Sequence, residues 1–185
     1  MPLLAEETAI FPPELFSLDR ASHPWGVAHV RSRQEKVLAR FLADRGIPFY
    51  LPIASVKRRS GPRTLTSHLP LFAGYVFHRA PDAQRDLLWR SNAVANLIDV
   101  EDQQQLEDEL AQIRSLQMSG ASLRVIPQLV QGQAVRIVEG VFAGYTGVVE
   151  RGKGSDRLII RVSLLRQAVC VEFDRDVLKP ASPSS

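Results

Sequence analysis

Lysine and arginine side chains are the groups in this sequence whose types and spacing best fit a chemical task. Residues 57–63 read KRRSGPR, and Arg31, Arg33 and Lys36 form a second basic group. Residues 20–90 hold 13 Lys and Arg against four Asp and Glu, a local excess that indicates a surface facing a polyanion. Guanidinium groups suit phosphate because their planar fork binds it with two parallel hydrogen bonds. Charge alone is equally consistent with a solvated surface, and that alternative stays open.

An apolar run between two prolines raises a different question. The stretch HLPLFAGYVFHRA, residues 68–80, has bulky apolar residues at both odd and even positions. Side chains of a strand alternate between the faces of a sheet, so such a run must bury both faces. Either the rest of this chain or a partner covers the second face.

Catalytic and metal-binding chemistry is not indicated. GVVERGK, residues 147–153, matches part of a phosphate-binding loop, but Gly154 replaces the magnesium-binding Ser or Thr and strands flank the motif. The four histidines lie at no metal-ligand spacing, and no G-x-S-x-G motif supplies a nucleophile. We therefore expect no enzyme activity, no metal and no cofactor.

Alternating strand and helix patterns must position the basic groups and the apolar run. The patterns predict two helices in the first hundred residues, one after a Ser32–Glu35 capping box and closed by Gly46, and one opened by Pro81. A third helix begins after Asp102 and ends at Ser119-Gly120. The predicted strands are residues 25–30, 49–56, 64–71, 74–79 and 94–100. This order predicts an α+β fold, a mainly antiparallel sheet covered by helices.

The sequence pattern changes after Gly120: it predicts short alternating strands and turns and no further helix. The strands AVRIV, TGVVE, RLIIRV and AVCVEF predict a small β-barrel. We expect an irregular N-terminal tail at 1–23, a first domain at 24–118, a linker at 119–130 and a second domain at 131–181.

The composition of the 185-residue chain fits a globular protein outside the membrane. No apolar run approaches the ~20 residues that a membrane span requires. The N-terminus, with acids and prolines and no early base, does not match a signal peptide, so the cytoplasm is expected. The single cysteine, Cys170, is expected to be a buried small apolar residue.

Two stretches together carry a resemblance to a known family. WGVAHVRSRQEKVLARFLADRGIPFYLP, followed by PLFAGYVF, resembles the N-terminal domain of NusG-like transcription elongation factors. GQAVRIVEGVFAGYTGVVE is similar to the family's KOW motif, which forms an SH3-like β-barrel. The resemblance is greatest to specialised antitermination proteins of the RfaH and UpxY kind, although Ala73 replaces the proline usual before Gly74.

The resemblance implies binding partners for the first domain. Its apolar patch would bind the β′ clamp helices of RNA polymerase, with the β subunit across the cleft, and so suppress pausing and termination. The residues implied in this contact are Tyr75, Phe77, Phe72 and Val76. Burial in the core remains the alternative, most seriously for Phe77. Non-template or upstream DNA would face Arg31, Arg33, Lys36, Lys57, Arg58, Arg59 and Arg63.

The resemblance also implies a role for the second domain. There Phe142, Leu164 and Leu165 would bind a further partner, either the ribosomal protein NusE or Rho. We expect a monomer in the cytoplasm, associated with transcription complexes on the nucleoid, and a specialised paralogue rather than the general factor. The alternative function is an RNA- or ribosome-associated KOW protein.

Overall fold

The structure, a computed structural model, describes residues 8–126, 132–138 and 142–174. The chain divides into two compact units between Glu107 and Asp108, and each unit is described by itself. Parts of the predicted tail, linker and second domain lie outside the described residues.

A five-stranded antiparallel sheet organises the first unit. Its strands stand in the order β1-β3-β6-β2-β7. Their bounds are β1 Ile10–Phe11, β2 Gly26–Val30, β3 Phe49–Tyr50, β6 Tyr75–His78 and β7 Val94–Asp99. The helices are α1 Glu35–Asp44, α2 Arg85–Arg90 and α3 Gln103–Met118, of which α3 crosses the boundary between the units. The prediction of an α+β fold with an antiparallel sheet is confirmed.

A long hairpin forms a separate two-stranded sheet. β4 (Ile53–Ser60) pairs only with β5 (Arg63–Pro70) in the described sheets. The predicted strand 49–56 is therefore two strands in two sheets, interrupted at Leu51-Pro52. The predicted basic turn is also shorter than expected, because only Gly61 and Pro62 separate β4 from β5.

The chain itself buries side chains on both faces of the larger sheet. Ala28, Val30 and Val76 face a core that includes Leu38 of α1 and Leu88 of α2. The next residues along the strands point to the opposite face, where Val27, Phe77 and Tyr50 are paired neighbours and fully buried. The ring of Phe16 lies there, 5.6 Å from Tyr50 and 5.5 Å from Trp25.

The N-terminal segment, predicted as an irregular tail, belongs to this unit and contains two short elements. β1 pairs with β3, and Leu15–Ser17 forms a short 3-10 helix whose Leu15 is fully buried. Sequence patterns could not indicate β1 because two residues are too short to show a period.

A buried arginine fixes this segment. The Arg79 guanidinium donates to the carbonyl oxygens of Leu15, Leu18 and His23 at 2.8, 2.9 and 2.8 Å. It lies 3.6 Å from Glu107 of α3 and 5.0 Å from the Trp25 ring centroid, and its side chain is wholly inaccessible to solvent. Burial lowers the pKa of Arg79, while the charge of Glu107 opposes that shift. Because these bonds replace water around the guanidinium, the charge can be accommodated inside the unit.

The helix caps differ partly from expectation. The Ser32–Glu35 capping box is wrong, because α1 begins after Gln34 and no side chain caps it. The predicted left-handed Gly46 is confirmed, with φ of +65° and the Ile47 amide donating to the Leu42 carbonyl. Asp102 caps α3 as predicted by accepting from the Gln105 amide at 2.9 Å.

The second unit contains another five-stranded antiparallel sheet, in the order β8-β12-β11-β10-β9. Its strands are β8 Leu123–Ile126, β9 Val135–Arg136, β10 Thr146–Arg151, β11 Ser155–Val162 and β12 Gln167–Asp174. β8 lies in the predicted linker and pairs with β12. In the described residues β8 and β9 form the two edges, so closure into a barrel stays a prediction. Cys170 is buried as expected.

In the part of the chain that the structure describes, no helix has the length and apolar character needed to cross a membrane.

Replacing Arg79 by leucine should lower the free energy of unfolding of the first unit by about 3–5 kcal/mol, the usual effect of breaking a buried charge network. The change leaves the carbonyls of Leu15, Leu18 and His23 without this donor and removes the ion pair of Glu107, which keeps its hydrogen bond from Trp25 Nε1. Arg85→Leu removes an exposed ion pair with Asp99 and should cost less than about 1 kcal/mol. Urea unfolding followed by tryptophan fluorescence measures both. Equal effects of the two variants would contradict the role given to Arg79.

Candidate functional site

An open aromatic row lies at one end of the sheet face that the N-terminal segment covers. Tyr75, His29 and Asn96 are directly paired across β6, β2 and β7. The Tyr75 and His29 rings lie 5.1 Å apart at an interplanar angle of 33°. His29 and Asn96 are exposed and Tyr75 is half-buried. We call these three residues the aromatic row, and it can offer ring faces and hydrogen-bonding groups to a partner.

A glycine turn fixes the direction in which Tyr75 leaves the sheet. Gly74 has φ of +86°, a conformation that favours glycine. Its amide donates to Glu35 Oε1 at 2.7 Å, and its carbonyl accepts from the Val30 amide at 2.8 Å. Glu35 therefore serves this turn rather than the predicted capping box.

The other three predicted polymerase contacts lie in the core. Phe72, Val76 and Phe77 are at most 1% exposed, and the Phe72 and Phe77 rings pack edge to face at 5.8 Å. Direct contact by these side chains would require the core to open. Of the four predicted residues, Tyr75 is the one that a partner can reach.

Sequence reasoning missed His29 and Asn96 as members of the same surface. The strand pattern of residues 25–30 already placed His29 on the face of Val27. What could not be read was the register that aligns His29 with Tyr75 on one side and Asn96 on the other. Register depends on pairing between distant segments, which the sequence of one strand does not specify.

The first basic group lies where β2 leads into α1. Arg31 and Arg33 are exposed, and Lys36 is partly exposed. The Arg31 amide donates to the Ala93 carbonyl at 2.8 Å, and Arg33 has a left-handed φ of +60°. A non-glycine residue rarely adopts this conformation. The backbone thus holds both arginines on a tight, outward-facing connection.

The second basic group lies on the hairpin. Lys57, Arg58 and Arg59 are consecutive residues of β4, Arg63 begins β5, and all four are exposed. No Asp or Glu occurs in residues 53–70. The hairpin can therefore present uncompensated positive charge to a polyanion.

A close packing contact joins β2 to the strand that carries Tyr75. Gly26 pairs with His78, and a Cβ at position 26 would collide with the His78 ring. His78 Nδ1 accepts from the Ala80 amide at 3.3 Å. Burial, reinforced by the charge of Arg85, lowers the pKa of His78 to about 4. The folded protein therefore holds this imidazole neutral at pH 7.

The predicted contacts of the second unit are mostly buried. Phe142 is 8% exposed and packs 5.2 Å from the Phe173 ring and 5.9 Å from the Tyr145 ring. Leu165 is also buried, whereas Leu164 is partly exposed. Phe142 is thus a core residue of this unit.

Within the described ranges, no group of three or more His, Cys, Asp or Glu side chains is arranged to hold a metal ion. Burial raises the pKa of the Cys170 thiol, which disfavours the reactive thiolate.

The fold is α+β, and its first unit exposes an aromatic row and two basic groups. Residues 23–120 match the family model described as "Transcription termination factor nusG". Because this match spans more than half of the chain, the protein belongs to the NusG family of transcription factors. No curated protein matches the chain significantly.

Acid should destabilise the first unit through His78. Unfolded histidine takes up a proton below about pH 6.5, whereas folded His78 stays neutral until about pH 4. The unfolded state therefore binds more protons in this window, and the free energy of unfolding falls as pH falls from about 6.5 to about 4, by up to roughly 3 kcal/mol. Unfolding of His78→Gln should lose this part of the pH dependence. The control His68→Gln, at an exposed site, should keep it, and identical profiles for both would refute the assignment.

Truncating Phe142 should destabilise the second unit rather than only weaken binding. Phe142→Ala removes a buried ring and should cost about 3–5 kcal/mol, while Leu164→Ala should cost much less. Thermal unfolding of the full chain, with hydrogen exchange to separate the units, measures both. Unchanged protection of β12 in Phe142→Ala would show that the ring is not part of this core.

Proposed function

We propose that this protein is a transcription elongation and antitermination factor that binds RNA polymerase through its first unit. The observation that carries the proposal is the family match over residues 23–120, which includes the aromatic row and the turn that orients it. We assign polymerase contact to the aromatic row, whose Tyr75 lies beside the buried core residues Phe72, Val76 and Phe77 in the sequence. The target would be the β′ clamp helices, with the β subunit across the cleft.

The mechanism is one of binding rather than catalysis. A domain that holds the clamp and a second element of polymerase at once resists opening of the clamp, and this would suppress pausing and termination. The two basic groups would add contacts with upstream or non-template DNA, since arginines and lysines position a protein on phosphates without reading sequence. No cofactor takes part, and the protein would act as a monomer in the cytoplasm, on transcription complexes of the nucleoid.

The second unit would supply a separate contact. We propose that its sheet is the KOW domain, an SH3-like barrel, and that Leu164 takes part in binding NusE or Rho. The protein would be a specialised paralogue of the RfaH or UpxY kind. Chromatin immunoprecipitation tests this last point, because a specialised factor occupies a few long operons and a general factor occupies most genes.

An RNA- or ribosome-associated protein is the competing function. Pull-down of RNA polymerase after nuclease treatment separates the two. A polymerase contact through protein survives the nuclease, whereas association through RNA is lost.

Tyr75→Ala should weaken polymerase binding about thirtyfold or more, because truncating a central interface aromatic costs at least ~2 kcal/mol. Trp89→Ala provides a matched control, since Trp89 is a 47% exposed aromatic residue on α2, outside the aromatic row. Affinity for purified polymerase is measured for both variants, with circular dichroism to verify the fold. A folded Tyr75→Ala variant with unchanged affinity would exclude the aromatic row as the polymerase contact.

A further inference from the structure

The two faces of the β4–β5 hairpin carry different chemistry. Paired residues of an antiparallel ladder lie on the same face, and successive pairs alternate. One face begins with the pair Ile53–Pro70 at the base of the hairpin and continues towards the tip with Ser55–His68, Lys57–Thr66 and Arg59–Thr64. We call the surface of these last three pairs the polar face. The other, the mixed face, contains the pairs Ala54–Leu69, Val56–Ser67, Arg58–Leu65 and Ser60–Arg63.

Every side chain of the polar face can donate a hydrogen bond to a phosphate oxygen. Hydroxyl, imidazole, ammonium and guanidinium groups all make such contacts in nucleic-acid complexes. Ser55 Oγ and His68 Nδ1 lie 3.1 Å apart, so this pair is already organised across the strands. The absence of acids from residues 53–70 means that no carboxylate of the hairpin competes for these donors.

The mixed face has a different character. Leu65 is 54% exposed, pairs with Arg58 and lies two residues from Arg63 on β5. Leu69, which is 43% exposed, lies on the same face nearer the base of the hairpin. Bringing a phosphate backbone against this face would place charged groups over exposed leucine side chains, which offer no hydrogen bonds. The four cations of the hairpin are thus divided. Lys57 and Arg59 stand among donors only, whereas Arg58 and Arg63 share their face with two serines and with the apolar residues Ala54, Val56, Leu65 and Leu69.

Spacing along the strand also favours the polar face. Residues i and i+2 of a strand are separated by about 6.8 Å, so Ser55, Lys57 and Arg59 form a straight row of donors with that repeat. This repeat is close to the separation of successive phosphates along an extended nucleic-acid strand. The row can therefore follow a backbone rather than hold a single phosphate.

We propose that the polar face is a binding site for the phosphodiester backbone of a nucleic acid, with Lys57 and Arg59 as its charged contacts. Arg58 and Arg63 do not share this role. The proposal deepens the proposed function, on which it rests, by limiting the hairpin's nucleic-acid contact to one face and by adding Ser55, Thr64, Thr66 and His68 to it.

Two double variants that remove the same charge from opposite faces test the proposal. Lys57→Gln with Arg59→Gln changes the polar face, and Arg58→Gln with Arg63→Gln changes the mixed face. The full chain is titrated with a short DNA duplex, and with single-stranded DNA and RNA of the same length, at several salt concentrations. The polar-face variant should lower the slope of log affinity against log salt by about 1.8 on the duplex, since each phosphate contact contributes about 0.9. The mixed-face variant should lower it by less than half as much.

Equal losses in both variants, a larger loss in the mixed-face variant, or no salt-dependent binding to any probe would overturn the proposal. The probe with the largest slope difference identifies the backbone as duplex, single-stranded DNA or RNA. The measurement contains no polymerase, so Tyr75→Ala should leave it unchanged. A failure of the polymerase proposal and a failure of this one are therefore distinguishable.

Discussion

The charge of Arg79 has to be neutralised inside the first unit, and much of the surrounding structure meets that requirement. A buried guanidinium without partners would be very costly, so carbonyl oxygens must converge on it. Those of Leu15, Leu18 and His23 do so only because the N-terminal segment folds back over the sheet. The same segment brings Phe16 against Tyr50 and closes the face on which Phe77 lies. One buried charge thus determines which part of the sheet a partner can reach.

The position of Tyr75 depends on two close contacts, one at each end of β6. At its start, Glu35 holds the Gly74 amide and fixes the turn. At its end, the His78 ring occupies the space that a side chain at Gly26 would need. Both contacts join β6 or the turn before it to segments more than 35 residues away, so the aromatic row is a product of tertiary structure.

Local patterns predicted most elements of this fold, and distant pairings account for what they missed. The alternation in residues 25–30 and 94–100, the cap at Asp102 and the glycine at 46 are local signals, and the structure contains each of them. The sequence around Arg79 reads like a surface cation before a proline, because nothing nearby indicates the carbonyls that bind it. β8 lies in a segment predicted to be a linker. The strand could not be recognised from its own sequence because it pairs with β12, more than 40 residues away. For the candidate site, residue types indicated the basic groups and the family resemblance indicated Tyr75, but burial of Phe77 and Phe142 required the packed structure.

The separate sheet of the hairpin has a consequence for how the chain tolerates insertions. β4 and β5 pair with each other, so lengthening both strands together need not disturb the order of the larger sheet. Whether the number of added residue pairs is odd or even would nevertheless decide which way the side chains point. One extra residue pair near Ile53 and Pro70 would rotate every later pair to the opposite side, and Lys57 would exchange direction with Arg58. Two extra residue pairs would restore the original direction of each side chain and only make the hairpin longer. Related hairpins with the same function should therefore differ in length by an even number of residue pairs.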